Sequence, residues 1–152
     1  MTAVVGQPAP EFTLLDPRRN PVSLADLRGK KTLVVFFPFA FSNTCQGELC
    51  TIRDNLHTFE SADANVVAIS VDHFFSNRAW SEREGFGFPI LSDYWPHGAV
   101  AREYGCFDEQ VGCAKRATYV LDEEGIVRAI ISSENLGQAR EFDSYQQALA
   151  AI

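Results

Sequence analysis

The apolar positions of this chain change period several times, and each change marks an element. "KTLVVFF", from Lys31 to Phe37, is a continuous apolar run rich in β-branched and aromatic residues. Such a run suits a strand buried on both faces, and it predicts a central strand. "NVVAISVD" at 65–72 has the same character, while "ATYVLD" and "IVRAIIS", between 117 and 132, read as two strands around the turn "EEG". Nearer the start, "EFTLLD" and "PVSLADL" alternate on either side of the turn-rich "PRRN" and predict an N-terminal β-hairpin.

Helical spacing falls between these strands. Leu49, Ile52, Leu56 and Phe59 recur along one helix face, "SNRAWSEREG" ends in a glycine suited to a C-cap, and Phe142, Tyr145, Leu149 and Ile152 mark a closing helix. Strand, helix, strand, helix, strand pair and helix predict an α/β sandwich around a mixed sheet. The thioredoxin-like architecture is one instance, and the pattern alone does not choose among topologies.

With 152 residues and 46% hydrophobic composition, the chain has the size of a single domain over 1–152 with one sizeable core. Its prolines and glycines are scattered, and no linker, repeat or low-complexity segment interrupts it. "MTAVVGQPAPEF" has no basic stretch followed by an apolar one, and the longest apolar runs fall far short of a membrane span, so neither export nor membrane insertion is expected. A net charge of −7, with only 13 lysines and arginines, argues against a nucleic-acid partner. Four cysteines in such a chain read as reduced thiols in a cytoplasmic setting rather than as a disulfide framework.

Two of those cysteines lie in "PFAFSNTCQGELC", residues 38–50, directly after the central strand. Ser42, Asn43 and Thr44 are all candidate caps, which puts Cys45 in the first turn of a helix beyond a strand's C-terminal end, where open α/β sheets place their crevices. Unpaired N–H groups and the helix dipole favour a thiolate there. Cys45 also continues the row of Leu49, Ile52, Leu56 and Phe59, so its sulfur is expected to face inward, into a recessed pocket. A free cysteine on an apolar helix face is more commonly a small core residue, and the residues alone leave both readings standing.

Pro38, Ser42 and Cys45 fit P-x-x-x-[ST]-x-x-C, a pattern that resembles the peroxiredoxins. The blocks "VGQPAPEFTLLD", "KTLVVFFPFAFSNTCQGEL", "VVAISVD", "WSEREGFGFPILSDYWPHGAVAREYG" and "KRATYVLDEEGIVR" are similar to successive segments of the alkyl hydroperoxide reductase E (AhpE) type, over nearly the whole chain. The resemblance implies a thioredoxin-like fold and a thiol-specific peroxidase without a cofactor or metal. Its substrates would be hydrogen peroxide, organic hydroperoxides or peroxynitrite. By the same resemblance Cys45 is the peroxidatic nucleophile that becomes a sulfenic acid, and the Ser42 hydroxyl donates to the peroxide. Arg116 would favour the thiolate and orient the peroxide oxygens, and Pro38 would shield the sulfur. On spacing alone Arg116 would be a solvated strand-edge residue. His57, His73 and His97 are expected to be structural, and the family suggests a homodimer.

A sulfenic acid must then be reduced. Cys50 is a candidate resolving thiol, at a spacing that resembles the PrxQ, or bacterioferritin-comigratory, branch. AhpE-type members instead rely on an outside reductant, such as a low-molecular-weight thiol or a thioredoxin-like or glutaredoxin-like protein. Five residues of α-helix rotate by about 140° and rise roughly 7.5 Å, so the two thiols point apart. A disulfide needs Cα atoms within about 7 Å, so the first turn would have to unwind. Gly47, which weakens a helix by roughly 1 kcal/mol relative to alanine, eases that step. Otherwise Cys50 is an idle boundary residue near Arg53 and Asp54. Cys106 and Cys113 are weaker resolving candidates, or could pair with each other.

Three rival readings stand beside the peroxidase. C-x4-C and C-x6-C match zinc-ligand spacing poorly, and no cysteine pair has the two-residue separation of a thioredoxin-style oxidoreductase. A redox switch or interaction protein on the same scaffold, sensing peroxide without efficient turnover, is the alternative from a different class.

Overall fold

The computed structural model describes residues 2–152. In chain order the elements are β1 (Thr13–Leu15), β2 (Pro21–Ser23), α1 (Leu24–Leu27), β3 (Lys31–Phe36), α2 (Asn43–Asp54), α3 (Leu56–Ser61), β4 (Ala64–Ser70) and α4 (Phe74–Glu84). They continue with β5 (Ile90–Ser92), α5 (Ala99–Tyr104), β6 (Phe107–Asp108), β7 (Cys113–Ala114), β8 (Ala117–Leu121), β9 (Val127–Ser132) and α6 (Phe142–Ala150). Seven strands form one sheet in the order β2-β1-β5-β4-β3-β8-β9, and β6 and β7 form a separate hairpin. β3, β4 and β5 run parallel, and β8 pairs antiparallel with β3 and β9, so the sheet is mixed. With helices on both faces, this is the thioredoxin-like fold.

β3 shows why a continuous apolar run makes an interior strand. Val34 and Phe36 point into one core with Tyr104, Tyr119 and Leu24, while Leu33, Val35 and Phe37 point into the other with Cys45, Leu49, Ile52 and Trp80. Residues 33 to 36 have no exposed surface at all. The second core carries α2, α3, α4 and α6 on one face of the sheet; α1 and α5 cover the other.

The hairpin and the glycine stop of α4 form as the sequence predicts, with Gly85 in the left-handed region at φ 65°. Two predicted elements are shorter than their patterns. "PVSLADL" leaves the sheet at Ser23, where the Asp26 carboxylate accepts the Ser23 backbone N–H at 3.1 Å in a capping box, and "LADL" becomes α1. The row from Leu49 to Phe59 is not one helix. Asn55, at φ −117° and ψ 18°, turns its side-chain amide back onto the Thr51 carbonyl at 2.8 Å and divides it into α2 and α3.

Candidate active site

The site starts where β3 ends. Its neighbour β4 runs parallel, so the two strands release their C-terminal ends side by side. The Asp72 carboxylate, just past β4, accepts the Ala40 backbone N–H at 2.7 Å and the Ser70 hydroxyl at 2.7 Å. The loop from Pro38 to Phe41 is thereby fixed to the sheet. Phe41 takes φ 69°, a left-handed conformation costing a bulky residue about 1–2 kcal/mol. It turns the chain into Ser42, the N-cap of α2.

The Ser42 hydroxyl oxygen accepts the Cys45 backbone N–H at 3.3 Å, so its own O–H remains available to donate. Cys45 is 0% exposed and packs in the core beside Phe37 and Leu49. Pro38 is buried above the end of β3, and the flanking Phe39 and Phe41 are partly exposed. Cys45 therefore faces inward, as its place in the apolar row predicts.

Arg116, immediately before β8, is 4% exposed, which a solvated edge residue would not be. Its Nη1 donates to Glu48 Oε1 at 2.6 Å and its Nε to the Leu136 carbonyl at 2.6 Å. Glu48 lies one turn along α2 from Cys45 and also holds Arg140. The Arg140 backbone N–H and Nε donate to Glu48 Oε2 at 2.7 and 2.9 Å, and its Nη2 donates to Oε1 at 2.8 Å. Arg140 Nη1 reaches the Phe36 carbonyl at 2.6 Å and the Thr118 hydroxyl at 3.1 Å, so one guanidinium joins β3, β8 and α2.

Burial alone would raise the Glu48 pKa, but the hydrogen bonds and charge of Arg140, then the charge of Arg116, hold it below the ordinary 4.5. Burial would likewise lower Arg140, and the bonds to Glu48 reverse that; the Cys45 sulfur is among the nearby charges that raise it further. One carboxylate between two arginines leaves a local surplus of positive charge behind Cys45. A groove of about 310 Å³ between Lys115 and Asn135 leads to Arg116 from outside.

Glu48, Arg140 and Asp72 are absent from the sequence-based reading. Glu48 had one signal, an acid three residues after Cys45 on a helix otherwise placed against the core. Arg140 had none, since 92 residues separate it from Glu48.

The remaining candidates lie apart from this cluster. α2 is continuous over Cys50, whose Sγ sits 3.6 Å from Glu84 Oε1 on a different face from Cys45. All four cysteines are free. Burial pushes Cys106 up to about 12 and Cys113 up to about 11, the latter also raised by Asp108 and Cys45, which favours the thiol form of both. His97 Nε2 donates to the Gly112 carbonyl at 2.7 Å, and His73 Nδ1 accepts the Phe75 N–H at 3.2 Å. Among the described residues no three His, Cys, Asp or Glu side chains gather as a metal site, and no helix is long and apolar enough to cross a membrane.

Residues 5–130 match the family model described as the AhpC/TSA family. The chain is 46% identical over 149 residues to alkyl hydroperoxide reductase E of Mycobacterium tuberculosis, covering 97% of each. It is 34% identical over 162 residues to thioredoxin peroxidase of Echinococcus granulosus, covering 100% of this chain and 82% of that one. Among solved structures, AhpC of Enterococcus faecalis superimposes with a TM-score of 0.88 at 27% identity, over 99% of this chain and 92% of that chain. Peroxidoxin BcpB of Mycobacterium tuberculosis gives 0.84 at 29% identity, over 97% and 95%.

Proposed function

The chain belongs to the AhpC/TSA family as a peroxiredoxin of the alkyl hydroperoxide reductase E type, and within it we propose that Cys45 is the peroxidatic cysteine. The observation that carries this reading is the convergence at one end of α2: a buried sulfur, the Ser42 cap and the Arg116–Glu48–Arg140 cluster. The Cys45 thiolate attacks the terminal oxygen of hydrogen peroxide, an organic hydroperoxide or peroxynitrite. An S–O bond forms as the O–O bond breaks, and the departing oxygen takes a proton, leaving a sulfenic acid. Charge leaves sulfur and builds on the departing oxygen, so fixed donors beside both atoms lower the barrier. The Ser42 hydroxyl and the unused N–H groups of Arg116 supply them, and Pro38 keeps water from the sulfur.

Resolution falls either to Cys50, reached when the start of α2 unwinds, or to an external thiol that attacks the sulfenic acid directly; in both routes the final reductant is a thioredoxin-like or glutaredoxin-like protein or a small thiol. The continuity of α2 over both cysteines makes unwinding a requirement of the Cys50 route. A reducing cytoplasm fits four free thiols. A homodimer completes the reading, supported by the exposed aromatic residues Phe75, Tyr94 and Trp95, the last 82% exposed.

Stopped-flow mixing of reduced protein with peroxide tests the assignment. Oxidation is expected in the native chain and absent from Cys45→Ser; rapid oxidation surviving in that variant overturns it. Sustained turnover with a thiol reductant, rather than one turnover, separates a peroxidase from a sensor.

A further inference from the structure

We propose that Arg83 and Glu84, the last two residues of α4, latch the Cys45–Cys50 stretch of α2 in helical form, and that release of this latch admits Cys50 to the oxidised Cys45. The inference rests on the assignment of Cys45 and on the Cys50 route above, and it names what governs the passage between them.

The contacts bracket the stretch that must unwind. At its start, Gln46 follows Cys45, and its side-chain oxygen accepts Arg83 Nη2 at 2.6 Å and Trp80 Nε1 at 3.3 Å. The Arg83 guanidinium also stands over the Phe41 ring at 4.8 Å, and that ring lies 5.9 Å from Trp80. One side chain therefore holds both the residue after Cys45 and the loop residue before the Ser42 cap. At the far end, Glu84 Oε1 meets the Cys50 sulfur at 3.6 Å, and the Glu84 backbone carbonyl accepts Arg53 Nη1 at 2.6 Å. Arg83 Nε donates to Glu84 Oε2 at 2.8 Å, joining the two halves. α4 stops there because Gly85 takes the left-handed C-cap.

Contacts made by a side chain as exposed as that of Arg83 add little to the stability of a whole domain. They weigh far more against a local event in which a single turn opens, because that event has few other contacts to break. The latch also acts on the chemistry. Burial raises the Cys50 pKa above its ordinary value, Arg53 opposes this, and the Glu84 hydrogen bond and charge add to it. A latched Cys50 is thus out of reach, and its contact with Glu84 favours the thiol over the thiolate. Once released, its thiolate attacks the Cys45 sulfur: the S–S bond forms, the S–O bond breaks, and the hydroxide leaves with the thiol proton as water. No outside oxidant enters, because the first peroxide has already supplied the oxidising equivalents.

Arg83→Met keeps an apolar stem against Phe41 and removes the donors, Arg83→Lys restores a charged donor, and Glu84→Gln removes the carboxylate from Cys50. Amide hydrogen exchange across residues 45–50 is measured on the reduced proteins, and disulfide formation is followed by intact mass after one equivalent of peroxide. Arg83→Met is expected to speed both by about tenfold, the equivalent of about 1.4 kcal/mol, with Arg83→Lys between it and the native chain. The first oxidation of Cys45 is expected to stay within about twofold of native, since Arg83 touches no reacting atom. Unchanged exchange in both Arg83→Met and Glu84→Gln overturns the latch, as does faster exchange spread evenly over the whole sheet. If every protein gains oxygen instead of losing two hydrogens, the resolving role of Cys50 is what fails, and the exchange data still decide the latch.

Discussion

Glu48 takes three hydrogen bonds from Arg140, one from its backbone and two from its guanidinium, and so seals the loop before α6 onto the helix that carries Cys45. The side chains at this contact are almost wholly buried, at 5% and 0% exposure. Removing one member leaves buried charge unpaired, so Glu48→Ala is expected to lose about 3–5 kcal/mol in denaturant unfolding. Glu48→Gln keeps the volume but frees Arg116 and Arg140 to shift; peroxide oxidation of Cys45 is expected to slow on the order of 100-fold, measured by stopped flow.

Arg116 offers a sharper test of geometry against charge. Its Nε and Nη1 are committed to Leu136 and Glu48, so the planar fork itself fixes where its remaining N–H groups point. Arg116→Lys keeps the positive charge and loses that direction. Its oxidation rate is expected to fall by roughly 100-fold, close to that of Arg116→Met. A lysine variant near native speed would show that charge alone suffices.

Gly47 lies inside α2 between the two cysteines, and a β-carbon added there meets nothing within 4 Å. Gly47→Ala is therefore expected to stabilise the helix by about 1 kcal/mol without a clash. Cys45–Cys50 disulfide formation should slow about fivefold by intact mass, while the first oxidation is unaffected. Equal rates would show that helix opening does not limit resolution.

Two buried carboxylates are expected to act on stability with opposite sign. Asp93 accepts the Val100 and Ala101 backbone N–H groups at 3.1 and 3.0 Å, yet burial raises its pKa from 3.8 to about 6. The folded chain thus binds the extra proton between those values. Its contribution, at most about 3 kcal/mol, is full below pH 3.8 and lost as pH rises through about 6. Glu48, held below 4.5, contributes above that value, and its contribution is lost as pH falls through the lower folded value. Unfolding free energies from pH 3 to 7 are expected to lose the falling limb near pH 4–6 in Asp93→Asn and the acid limb in Glu48→Gln.

The sequence made the inward face of Cys45 legible because α2 keeps one helical period from Cys45 through Ile52, and it made β3 legible because both faces of that strand are apolar. It hid the break at Asn55, since Leu56 and Phe59 remain in step with the row before them and only the Asn55 amide, bonded to Thr51, interrupts the helix. β5 escaped notice because three residues carry too little period to read. α5 escaped because its first turn is capped by Asp93 from the preceding loop rather than by an adjacent residue. The site divides the same way. Pro38, Ser42 and Cys45 sit on one short stretch, whereas the partners of Glu48 arrive from positions 116 and 140, and no local spacing announces them.

The Asp72–Ala40 hydrogen bond means that the loop over Cys45 does not travel with its own letters. A peptide bearing "PFAFSNTC", or the same stretch grafted after another strand, would keep the nucleophile and lose its setting, because the clasp belongs to the neighbouring strand's end. Two chains alike at 38, 42 and 45 but different at 72 would thus share a motif without sharing the hold on its loop. For a thiol whose reactivity depends on fixed donors, that difference separates a fast peroxide scavenger from an ordinary cysteine.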